Sequence, residues 1–84
     1  MGQPIADNYV EKIASIRKAL KGFDFYFDYS DDNSTYARGV IERQAIFKEL
    51  AQVPMREVAL IINECVPELV REEWKRLLTI YRGD

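Results

Sequence analysis

The segment DYSDDNST gathers the carboxylates of Asp28, Asp31 and Asp32 with the hydroxyls of Ser30, Ser34 and Thr35. Hard oxygen donors of this kind hold calcium when the loop places them at set positions. Starting a calcium loop at Asp28 puts Asn33 where the turn glycine belongs and Gly39 where the bidentate glutamate belongs. Starting at Asp31 puts Tyr36 at the glycine position, although Glu42 then falls correctly. Neither register completes the loop. These residues read instead as the polar start of a helix, where carboxylates and hydroxyls take up free N–H groups and complement the dipole. No metal is expected.

Other chemistry is thin. The chain has no histidine, which removes Ser-His and Cys-His nucleophile pairs and histidine metal clusters. Its single cysteine, Cys65, falls in register with Val58, Ile61 and Ile62 and reads as a small buried hydrophobe. The four glycines are scattered, with no phosphate-cradling loop. Catalysis would have to come from carboxylates and lysines with shifted pKa values, and 84 residues offer little interior in which to shift them. Neither an enzyme nor a bound cofactor is expected.

Two patterns could serve binding. Arg71, Lys75 and Arg82 align at spacings of four and seven, a basic stripe interrupted by Glu68 and Glu72. With Arg56, in a segment resembling a shortened helix-turn-helix (ELAQVPMREVALIINE), they make nucleic-acid contact the alternative reading. The second pattern is apolar residues on the polar sides of their helices. Leu60 projects among Arg56, Glu57, Asn63 and Glu64, and Ile46 lies near Glu42 and Gly39. Leu69 and Ile80 flank Glu73. With Tyr26 and Tyr29 they are the expected contacts with another protein or a second copy of this chain.

The elements that would position these residues follow from periodicity. Apolar residues recur at helical spacing over about 8–20 (Tyr9, Ile13, Ile16, Leu20), with Asp7 as N-cap. A second set spans about 35–51 (Tyr36, Ala37, Val40, Ile41, Phe47, Leu50, Ala51) in an arc wide enough to touch more than one neighbour. A third spans about 54–65 (Met55, Val58, Ile61, Ile62, Cys65), and a fourth about 67–82 (Val70, Trp74, Leu77, Leu78, Tyr81). Joints of two or three residues between the last three favour consecutive helices as neighbours.

Between the first two helices, KGFDFYFDYSDDN alternates Phe23, Phe25, Phe27 and Tyr29 with polar residues and Tyr26. The alternation fits a strand, but no other segment offers itself as a partner. Phe23 and Phe27 also continue the first helix's rhythm, against Gly22, which costs ~1 kcal/mol inside a helix. The third option is an irregular connector that presses its aromatics into the core.

The expected fold is all-α: one domain over residues 1–84, a compact bundle of three to four helices with an aromatic-rich connector at about 22–33, frayed in its first few and last two residues. Hydrophobic residues make up 48% and charged residues 31%, with a net charge of −2, values of an ordinary globular domain without a basic excess. MGQPIADNY lacks the basic start and apolar run of a signal peptide, no stretch reaches membrane-spanning length, and one cysteine suits a reducing compartment, so a cytoplasmic protein with no membrane partner is expected. PELVREEWKRLLTIYR, Pro67 to Arg82, resembles the last helix of the theta subunit of bacterial replicative polymerase in its Pro-Glu opening and the arginine that follows. The resemblance covers that helix alone and would imply a non-catalytic partner of a larger enzyme. The functional expectation is a non-enzymatic protein–protein interaction module, with self-association as one form of it.

Overall fold

In the computed structural model, residues 4–83 are described, with side chains over 10–83. Four helices follow one another: α1 (Pro4–Lys21), α2 (Asn33–Leu50), α3 (Met55–Cys65) and α4 (Glu68–Arg82), and no strand occurs among the described residues. The chain is all-α.

Helix ends follow local chemistry. Asp32 caps α2, its carboxylate accepting from the Ser34 N–H at 3.2 Å and the Thr35 hydroxyl at 2.8 Å. Pro54 and Pro67 stand at the caps of α3 and α4, where a missing N–H leaves no intrahelical bond unmade. Gly83 closes α4 with φ 80°, its N–H donating to the Thr79 and Ile80 carbonyls. That conformation suits glycine. α1 begins at Pro4, so Asp7 lies inside the helix and is not its cap. The side chains of Asp7 and Tyr9 lie outside the described part, as do the terminal residues 1–3 and 84 that were expected to fray.

The joint between α3 and α4 is Val66 and Pro67, whereas that between α2 and α3 spans the four residues 51–54. It is longer than expected because turn-type bonds from Gln52 N–H to the Glu49 carbonyl and from Val53 N–H to the Leu50 carbonyl tighten the chain after α2.

The connector enters the core. Phe23 and Phe27 are buried, Phe25 is half-buried, and residues 27–29 form one 3-10 turn. Trp74 of α4 gathers the aromatics: Phe23, Phe25 and Phe47 lie at 5.5, 5.2 and 5.2 Å between ring centroids. Edge-to-face and tilted rings at these distances add directional attraction to apolar burial. Around them pack Ile16 and Leu20 of α1, Leu50 of α2, Val58, Ile61 and Ile62 of α3, and Val70 and Leu78 of α4.

α1 lies antiparallel to α2. Lys12 Nζ meets Glu49 Oε1 at 2.8 Å, while Phe23, just beyond α1, shares the other end with Glu42. Arg17 Nη1 also ties α1 to α3 through Glu64 Oε1 at 2.9 Å.

Candidate protein interface

Leu69 and Ile80 are 76% and 66% exposed. Both belong to α4, whose opposite side drives Val70, Trp74 and Leu78 into the core. They stand eleven positions apart, three turns of helix to within about 20°. They therefore share one outward stripe, and at the intervening turns stand Glu73 and Arg76, both exposed. Four consecutive stripe positions thus read apolar, acidic, basic, apolar. Among the described residues no ion pair engages either Glu73 or Arg76.

Ile80 also edges a cleft between α2 and α4, lined by Arg43, Gln44, Phe47, Leu77, Ile80 and Tyr81. The Arg43 guanidinium lies 5.3 Å from the Phe27 ring centroid and 6.0 Å from that of Phe47, where the ring faces attract a cation. Its Nε is buried without a hydrogen bond.

The other expected contact residues are dispersed. Leu60 is 59% exposed on α3. Tyr26 and Tyr29 are exposed and stacked at 6.2 Å on the connector. Ile46 is not exposed: at 8% it is buried in the contact of α2 with α1, beside Ile16 and Ala19. α2 carries a second packed side there, which makes Ile46 a core residue. Tyr36, Ile41, Met55 and Tyr81, expected on the apolar faces of their helices, are exposed instead.

The cations of the alternative nucleic-acid reading are partly committed. Arg71 donates through Nε and Nη2 to the Val66 carbonyl at 3.2 and 3.0 Å. Arg82 Nη1 donates to the Leu50 and Val53 carbonyls, both at 3.1 Å, joining the end of α4 to the turn after α2. Lys75 faces Glu72 at 4.0 Å, and Arg56 is exposed. These guanidiniums meet carbonyl groups at and just beyond helix ends, a partnership that residue spacing along α4 does not disclose.

Cys65 is half-buried against the core. Among the described residues no three potential metal ligands come together. Asp32 is shifted below the usual carboxylate range, first by the Thr35 hydroxyl and then by the Ser34 N–H, as befits a helix cap. No helix among the described residues is long and apolar enough to cross a membrane.

Glu73 and Arg76 were absent from the expected contact set because charged residues on an outer helix face are ordinary. Their signal is the spacing of four, three and four from Leu69 to Ile80. Comparison with known protein families, curated proteins and solved structures finds no match to this chain, so the theta-like resemblance remains confined to one helix.

Proposed function

We propose that this chain is a small, non-catalytic interaction module of the cytoplasm, which docks on another protein chain through the outer stripe of α4. The observation that carries the reading is the joint exposure of Leu69 and Ile80 on one stripe, with Glu73 and Arg76 between them. Single exposed apolar residues are commonplace. Two large ones bracketing an unpaired acid and base supply both contact area and orientation.

A photo-reactive amino acid at position 69 tests this in living host cells, with position 18 on the exposed side of α1 as the control site. Irradiation is expected to give a discrete protein adduct from position 69 and none from position 18. Absence of any adduct at 69, with the protein expressed and helical, would overturn the reading.

A further inference from the structure

We infer that the chain docked on the α4 stripe is a second copy of this protein, with the two α4 helices antiparallel about a twofold axis. This rests on the stripe being a docking face and adds the identity and orientation of the occupant.

The argument is charge and shape complementarity of the stripe with itself. Leu69 and Ile80 have their midpoint between Trp74 and Lys75, and Glu73 and Arg76 have the same midpoint. An antiparallel pairing that sets Leu69 opposite Ile80 of the second copy therefore also sets Glu73 opposite Arg76. By symmetry each contact occurs twice: two Leu–Ile contacts outside and two Glu–Arg pairs inside, as an isologous interface requires. Leu69 of the second copy then arrives at Ile80, on the rim of the α2/α4 cleft. A parallel pairing in the same register would place Leu69 on Leu69, Glu73 on Glu73 and Arg76 on Arg76, and like charges repel. The stripe thus discriminates between the two orientations.

All four residues are exposed, so they are free for the contact. A pair of helices of 15 residues each offers less area than a standard interface. A reversible dimer with a Kd in the micromolar range is therefore expected.

Charge exchange provides the test, read by sedimentation equilibrium from micromolar to millimolar protein, with circular dichroism to check helicity. The wild type is expected to be a monomer–dimer equilibrium. Glu73→Arg alone, or Arg76→Glu alone, turns both symmetric pairs repulsive and should weaken the dimer roughly tenfold or more. Mixing the two single variants makes every pair attractive again, so the mixture should form a heterodimer with an affinity near that of the wild type.

A wild type monomeric at every concentration would overturn the dimer. So would a wild-type dimer indifferent to both single exchanges, and failure of the mixture to recover would overturn the antiparallel register. The position-69 adduct separates the two levels: the mass of two chains supports self-docking. Another protein in its place removes the dimer and leaves the docking face, and no adduct removes both.

Discussion

Gly39 stands in the middle of α2, where glycine costs ~0.5–1 kcal/mol relative to alanine. A Cβ there would overlap the Cγ and Cδ2 atoms of Phe27, whose ring lies across the helix at that point. The ring is pinned in turn by Phe23 and by Tyr36, at 5.7 and 5.8 Å. Gly39→Ala is expected to destabilise the chain by about 1–3 kcal/mol, the cost of overpacking, measured by urea denaturation. In a Phe27→Ala background the same change should become neutral or stabilising, because only its helix propensity remains. Equal effects in the two backgrounds would show that the two residues do not clash. Asp32 makes a different prediction. Its folded pKa is depressed by the bonds from Thr35 and Ser34. The resulting stabilisation is present above the unfolded carboxylate's pKa of about 3.9 and is lost as pH falls through the lower folded value. Asp32→Ala should lower Tm at neutral pH, and the gap should close on acidification. A pH-independent gap would assign the effect to something other than the charge.

At the scale of elements, helix periodicity was legible because one apolar side per helix is what a bundle demands. Neighbours were harder to read. Ile46 looked misplaced because α1 covers a side of α2 that the helix's own apolar arc does not mark, while Ile41 extended that arc into solvent. The connector shows the same limit: alternating aromatics suggest a strand, yet the backbone turns, with Asp24 accepting the Tyr26 N–H and a 3-10 turn at residues 27–29. Phe23 and Phe27 then point inward without any strand partner, and Tyr29 ends 70% exposed. The apolar half of the candidate site was more accessible to reading, since Leu69 and Ile80 stand out on the polar side of α4. Phe25 tests the connector. It meets Phe23 at 5.1 Å and Trp74 at 5.2 Å while remaining half-buried. Phe25→Ser is expected to cost about 2–4 kcal/mol, toward the lower end of aromatic truncations because of that partial exposure. Thermal and urea unfolding measure the loss, and sedimentation should find association unchanged. A variant that keeps its stability but loses association would make the aromatic run an intermolecular contact.

At the scale of the whole molecule, a chain of 84 residues buries a modest share of its unfolded surface, so mass action at an interface is visible in its unfolding. Only folded copies present the complete α4 stripe, because the opposite side of α4 must be held by the core for Leu69, Glu73, Arg76 and Ile80 to align. Dimerisation therefore stabilises the native state more at higher concentration. Raising total protein from about the Kd to about a hundred times the Kd should add roughly 1 kcal/mol per chain. For a domain of this size that is ~4–8 °C in Tm. The Glu73→Arg variant should show the same rise displaced to roughly tenfold or more higher protein, and so a lower Tm at each matched concentration, since its two central pairs repel. An equimolar mixture with Arg76→Glu should recover the wild-type curve. Calorimetry at matched total protein checks all three. Coincident curves of Tm against concentration for the wild type and Glu73→Arg would place self-association on another face, while a flat wild-type Tm up to millimolar protein would exclude a dimer of the expected strength.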